Sequence, residues 1–265
     1  LKLAGNTHWA SNGQWNLPMV VMTPVGSGIR GSIYHSHSVD ATATHIAGWK
    51  IVMPSTPLDA YGLLLSACKE TNPVMFLIPK ALMRIRGHEL IPGEPGEDKA
   101  LSRLIDAPLG DRTKWAAQWP ALEDASIPLG KAKTVRTGSQ LTVVSYGRTL
   151  PLCAQAAEVV AADGIDAEVI DLRTLWPYDW DALKASIEKT GRVLFVNEDT
   201  EVTNFGEHLV RRTVDELFFK LLAPPKLLAG KFLPGIGLAD PLELASVPQQ
   251  LDIEQAMRAL AAVQP

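Results

Sequence analysis

Trp49-Lys50-Ile51-Val52-Met53-Pro54-Ser55-Thr56-Pro57-Leu58-Asp59 turns from strand to helix within one short stretch. The apolar run from Trp49 to Met53 has the length and composition of a buried strand. Thr56 stands where a helix cap belongs and Pro57 suits the first helical position. Asp59 can bond back toward the cap and favours the positive helix end. The spacing predicts a helix to about Lys69, with Ala60, Leu63, Leu64, Ala67 and Cys68 on one face. Asn72-Pro73 stops it, and residues 74–78 form another continuous apolar strand. A strand, a helix and a second near-uniformly apolar strand predict a parallel sheet covered by helices.

Upstream, residues 18–23 read as a further buried strand, entered by a polar, tryptophan-bearing loop over residues 6–18. The strand runs into Gly26-Ser27-Gly28-Ile29-Arg30-Gly31-Ser32-Ile33-Tyr34-His35-Ser36-His37-Ser38. Closely spaced glycines let a backbone turn sharply and lie against a neighbour. Imidazoles exchange protons near neutral pH. This loop at a strand end is therefore the candidate active-site loop, with His35 the catalytic candidate. A short helix over 38–45, capped by Ser38 and ended by Gly48, is expected next.

Downstream, residues 80–128 are charged and broken by Gly93, Pro95, Gly96, Pro108, Gly110 and Pro120, the pattern of a linker packed on the surface. From residue 127 a second α/β unit is predicted, with strands over 141–145, 166–172, 192–196 and 225–229. Its helices fall at 150–162, 180–189, 204–218 and 251–263, with Gly164 and Gly191 as terminators. The helix over 204–218 is expected to turn Leu209, Val210, Val214 and Leu217 inward, and residues 230–248 read as irregular.

A chain of 265 residues favours two domains. A hydrophobic fraction of 46% with 20% charged residues is ordinary for a globular protein, and a net charge of −4 gives no basis for a nucleic-acid partner. No apolar run approaches the ~20 residues of a membrane span, and no signal peptide is visible. Cys68 and Cys153 read as buried free thiols. The opening Leu1-Lys2-Leu3-Ala4-Gly5 has no capping signal and reads as the interior of a longer chain.

Gly26-x-Gly28-x-x-Gly31 has the spacing of a dinucleotide fingerprint, but no Asp or Glu lies between Asp40 and Asp59 to meet a ribose. The glycines are read as turn residues. His35, His37 and His45 could ligate a metal, yet no cysteine or carboxylate completes an obvious set, although Asp40 is near. Asn197-Glu198-Asp199 reads as a solvated turn after a strand, and Asp171 with Arg173 as a structural ion pair.

A longer series resembles a known family. It comprises Gly28-x-Arg30-Gly31-x-x-Tyr34-His35-Ser36, then His45-x-x-Gly48-x-Lys50-x-Val52-x-Pro54-Ser55-Thr56-Pro57, then Ala60-x-Gly62-Leu63-Leu64. Asn72-Pro73-Val74, Pro79-Lys80, residues 127–132, residues 168–174, Pro177 with Asp179, and residues 189–192 continue it. The series resembles the β subunit of thiamine-diphosphate-dependent 2-oxo acid dehydrogenases, of the pyruvate and branched-chain type. The resemblance implies an α/β fold of two three-layer α/β/α units with mostly parallel sheets. Residues 1–80 would be the second half of a pyrimidine-binding domain, 81–126 a linker or insertion, and 127–265 a transketolase C-terminal domain.

The implied activity is decarboxylation of a 2-oxo acid with transfer of the acyl group to a lipoyl carrier. The alternatives are a transketolase-like ketol transferase half and a non-catalytic assembly module. The implied cofactor is thiamine diphosphate with Mg2+, held mainly by an α subunit, so these residues alone would supply no cofactor ligand. His35 matches the family's active-site histidine, with Tyr34, Ser36 and His37 facing substrate or lipoyl group. His37 departs from the glutamine common at that place. Ala67, Glu70 and Asn72 occupy the places whose backbone oxygens hold a structural potassium ion. Residues 83–126 and 231–246 depart from the family pattern. The implied partners are an α subunit, in an α2β2 assembly, and a lipoyl acyltransferase core. The C-terminal unit would mediate assembly, with Phe218, Phe219 and Phe232 as candidate contacts, although burial in its core is the expected fate of each. The implied location is the bacterial cytoplasm or the mitochondrial matrix, not the exterior.

Overall fold

A computed structural model describes residues 1–264. The chain opens with α1 (Lys2–Ala10), then β1 (Val20–Val25), the four-residue α2 (Ser32–His35), α3 (Asp40–His45), β2 (Lys50–Val52), α4 (Pro57–Lys69), β3 (Val74–Pro79) and α5 (Asp98–Ile105). The cap of α4 forms as its sequence dictates. Thr56 Oγ1 accepts from the Asp59 N–H at 3.1 Å and donates to Asp59 Oδ2 at 2.8 Å. Ala67 and Leu63 face the core, but Cys68 is exposed, against the expectation of two buried thiols. Cys153 is buried, and its thiol is pushed up to about 12 by desolvation.

α1 replaces the first part of the expected loop. It has no side-chain cap, so no local signal announces it. Tertiary contacts hold it instead: the Trp49 indole N–H donates to Leu1 O at 2.9 Å, and a Cβ on Gly5 would lie 2.5 Å from Ala47 O. α3 is likewise not capped by Ser38; its N-cap is Val39, and it ends at His45 before Gly48. Asp199 Oδ2, from the second half of the chain, accepts the Ala41 N–H at 2.9 Å in the first turn.

The second half comprises β4 (Lys133–Arg136), β5 (Leu141–Ser145), α6 (Thr149–Ala161), β6 (Ala167–Asp171), β7 (Thr174–Trp176), α7 (Trp180–Thr190), β8 (Val193–Thr200), α8 (Phe205–Leu217), β9 (Lys226–Gly230), α9 (Asp240–Ser246) and α10 (Gln250–Ala261). Its sheet has the order β4-β6-β5-β8-β9, parallel except for β4 at the edge. In α8 Thr213, not Val214, takes the inward position, and α9 forms within the stretch expected to be irregular. Phe218, Phe219 and Phe232 are exposed rather than in the core, Phe219 almost fully at 97%.

The two halves share a sheet. The first has the order β1-β3-β2-β7, with β1, β3 and β2 parallel and β7 crossing from the second half to pair antiparallel with β2. One hydrophobic cluster therefore runs from Val25, Ile51 and Leu77 through Leu175 and Leu172 to Leu183 and Phe195. The segment between the halves packs on α4: Tyr61 OH donates to Glu123 O at 2.9 Å, and Ile127 N–H donates to Gly62 O at 3.0 Å. The expected ion pair within Asp171-Leu172-Arg173 does not form. Arg173 crosses to Asp59 at 3.0 Å, and Asp171 Oδ1 takes the Arg173 backbone N–H, also at 3.0 Å.

Candidate active site

The loop after β1 is held by carboxylates from the far half of the chain. Gly26 and Gly28 sit at φ +87° and +89°, Arg30 and Ser32 at +57° and +58°, with Gly31 between them at −77°. Alternation of backbone hand turns neighbouring N–H groups to one side and makes a concavity for an anion. Glu198 fills one end: Ser27 donates its N–H at 3.1 Å and its hydroxyl at 2.8 Å to Oε2. Glu243 of α9 fills the other, accepting the Gly28 N–H at 2.9 Å and the Arg30 N–H at 3.2 Å. A Cβ on Gly26 would lie 2.1 Å from Glu198 Oε1, so the carboxylate fits only against glycine. With the Ser27, Gly28 and Arg30 N–H groups held by buried carboxylates, the concavity already has its anions, and the dinucleotide-like spacing is turn geometry.

From this base α2 projects. His35 and Tyr34 are exposed, and His37 is half-buried, its carbonyl accepting the Gly26 N–H at 3.1 Å. Ser36 is buried at 1% exposure, its Oγ without a partner among the described residues. His45 lies elsewhere, lining a 230 Å³ pocket with His208, Trp176, Asn204 and Phe205. Among the described residues no three His, Cys, Asp or Glu side chains converge on a metal position.

Beneath the loop lies a buried acidic cluster. β8 does not end at residue 196 but continues through Asn197-Glu198-Asp199, which are 1%, 7% and 5% exposed and form no solvated turn. Tyr146 OH donates to Asp40 Oδ2 at 2.5 Å, and Asp199 faces the same carboxyl. Burial first, and the Asp199 charge second, push Asp40 well above the usual carboxylate range, so the pair carries less charge than two carboxylates in water. Burial also raises Glu198 and outweighs the opposing pull of Arg148, whose Nε lies 3.8 Å away. The signal for Glu198 and Asp199 was their place at the carboxyl end of an apolar parallel strand, where α/β proteins put binding groups. Glu243 carries no comparable local signal.

This pairing of units matches known families. Residues 4–86 match the transketolase pyrimidine binding domain, and residues 130–253 match the transketolase C-terminal domain. A solved split gene transketolase, an inactive β4 tetramer, superposes with a TM-score of 0.67 over 99% of this chain and 74% of that one. At 15% identity it bears on the fold alone. The chain thus has the pyrimidine-binding and C-terminal domains of the transketolase fold class.

Among its relatives, the 2-oxoisovalerate dehydrogenase subunit beta of Bacillus subtilis is 37% identical over 258 residues, covering 97% of this chain and 70% of that protein. The corresponding subunit of Pseudomonas aeruginosa is 37% identical, over 86% of this chain and 60% of that protein. The pyruvate dehydrogenase E1 component subunit beta of Rhizobium meliloti is 34% identical, over 97% and 49%. The chain belongs to the family of 2-oxo acid dehydrogenase E1 β subunits.

That family depends on thiamine diphosphate. Residues 1–86 hold three carboxylates, and each is engaged: Asp40 by Tyr146, Asp59 by Arg173 and Thr56, and Glu70 by Lys50 at 2.5 Å. None is free to meet an aminopyrimidine, and the Ser27, Gly28 and Arg30 N–H groups of the glycine loop are occupied by Glu198 and Glu243.

Proposed function

We propose that this chain is the β-type part of an enzyme that decarboxylates a 2-oxo acid and passes the acyl group to a lipoyl carrier, with His35 as its catalytic imidazole. The observation that carries this reading is an exposed histidine on a rigid base: His35 stands on α2, whose entry loop is pinned by two buried carboxylates. An imidazole so placed can donate a hydrogen bond to a substrate carboxylate and pass a proton to a leaving sulfur. Exposed Tyr34 and half-buried His37 border the same surface and are assigned to substrate or lipoyl contact. Cofactor ligands and Mg2+ would come from an α-type partner in an α2β2 assembly, served by a lipoyl acyltransferase core. The setting is that of such complexes, the bacterial cytoplasm or mitochondrial matrix. In this reading 1–80 and 127–265 act as the two functional units and 81–126 as the connection.

The test is His35→Ala in the enzyme reconstituted with its α-type partner. Decarboxylation and lipoyl acylation are expected to fall about 100-fold, within the usual range for a lost acid–base group, with subunit assembly unchanged on gel filtration. Wild-type turnover in that variant would instead favour a non-catalytic assembly module.

A potassium ion is assigned to the backbone turn after α4. There the chain reverses at Glu70, whose N–H meets Ala67 O at 3.2 Å, and runs on through Asn72. Hard carbonyl oxygens suit such a cation. Replacing K+ with Na+ in the buffer is expected to lower the melting temperature by a few degrees; equal melting in both salts removes this site.

A further inference from the structure

We infer that Glu243 is a positioning residue for His35, supplied by a C-terminal strap of residues 231–246 that closes over the glycine loop. The inference rests on the catalytic reading of His35 given above. Its basis is the contact between α9 and residues 28–33. Glu243 is 5% exposed and its Oε1 takes two backbone N–H groups, from Gly28 at 2.9 Å and Arg30 at 3.2 Å. The strap also packs by shape: a Cβ on Gly235 would lie 2.4 Å from Ile33 Cγ2, so Ile33, two residues before His35, sits directly on the strap backbone.

The loop needs this hold. Arg30 and Ser32 adopt φ of +57° and +58° without being glycine, a conformation that persists only where surroundings impose it. A buried carboxylate accepting two N–H groups is a strong, directional restraint on that backbone. Glu198 restrains the first part of the loop through Ser27, and Glu243 restrains the part that leads into α2. Without Glu243 the Gly28 and Arg30 N–H groups lose their acceptor, and the angle at which α2 presents the imidazole is no longer fixed. The Arg30–Asp240 ion pair at 2.5 Å lies on the same strap, but both side chains are more than half exposed, so it contributes little.

Glu243→Ala, Glu243→Gln and the control Asp240→Asn would be compared in two measurements. Hydrogen exchange of the Gly28 and Arg30 amides in the full chain reports the loop directly. It is expected to accelerate at least tenfold in Glu243→Ala and to return close to wild type in Glu243→Gln, whose amide oxygen accepts the same bonds. In the enzyme reconstituted with its α-type partner, kcat is expected to fall about tenfold in Glu243→Ala, to recover in Glu243→Gln, and to stay at wild type in Asp240→Asn.

Unchanged exchange in Glu243→Ala overturns the inference. So does unchanged turnover in Glu243→Ala when His35→Ala abolishes turnover. If His35→Ala itself leaves turnover intact, the catalytic reading of His35 has failed, and the exchange measurement alone decides whether Glu243 holds the loop.

Discussion

Arg148→Met is expected to destabilise the folded chain by about 3–5 kcal/mol at pH 7, the cost of leaving a buried charge without its partner. Arg148 is 8% exposed and is the buried cation beside the acidic cluster, its Nε 3.8 Å from Glu198. It is anchored by donating to Pro248 O at 3.2 Å and to Gln249 Oε1 at 3.4 Å. The other groups facing Glu198 are Asp40, which repels it, the Ser27 donors, and half-buried Lys80, whose own pKa is lowered by desolvation. Methionine keeps the apolar stem of the arginine but removes the charge.

Glu198 already sits above its ordinary pKa because burial dominates, so its ionisation costs stability as pH rises past the unfolded value. Losing Arg148 moves the folded pKa higher still. The loss should therefore be larger at pH 7 than at pH 5, because a raised Glu198 is easier to protonate as pH falls. Adding Glu198→Gln to Arg148→Met should recover most of it, since the amide oxygen still accepts from Ser27. Urea unfolding of the two single variants and the double variant at both pH values gives the coupling. A loss below 1 kcal/mol at pH 7, or no recovery in the double variant, rules out this account of the cluster.

The contrast between α4 and β8 shows what the sequence could and could not disclose. The α4 cap is made by residues three apart, Thr56 and Asp59, and its chemistry is local, so its start and its length were legible. The α/β class followed from the strand–helix–strand run at residues 49–78, and the family resemblance likewise rested on short runs in order. Asn197-Glu198-Asp199 reads as a turn because polar triplets at strand ends are usually solvated. Their burial depends on Ser27, Ala41 and Arg148 closing over them, and Ser27 is 171 residues away from Glu198. Glu243 reaches the glycine loop across 215 residues, and nothing in Asp240-Pro241-Leu242-Glu243 distinguishes it from an exposed helix start. β7 is too short to show a period, and its place in the other half's sheet is a tertiary choice. His35 was legible as a candidate because its loop is local, but the means of fixing it was not.

Asp171→Asn is expected to stabilise the chain by about 4 kcal/mol at pH 8 and by almost nothing at pH 4. Asp171 is fully buried at the end of β6, and desolvation, with the Asp59 charge second, raises it to about 7. In the unfolded chain an aspartate titrates near about 3.9. Between those values the folded state binds the extra proton, so stability is full below about pH 4 and declines as pH rises to about 7. A shift of about three units corresponds to about 4 kcal/mol. Asparagine removes the ionisation while its oxygen still accepts the Arg173 N–H, and the Arg173–Asp59 pair does not require Asp171. Asp171 also lines a 310 Å³ cavity, so the new amide N–H groups have room for water.

Other carboxylates titrate in both proteins and cancel in the difference. The measurement is therefore the gap between the urea midpoints of variant and wild type, taken at half-unit steps from pH 4 to pH 8. It should open through this window and stay constant above it. Parallel curves across the whole range would mean that Asp171 is ionised in the folded state at low pH, and that Ser55, the Arg173 N–H and the Arg173 charge together outweigh its burial.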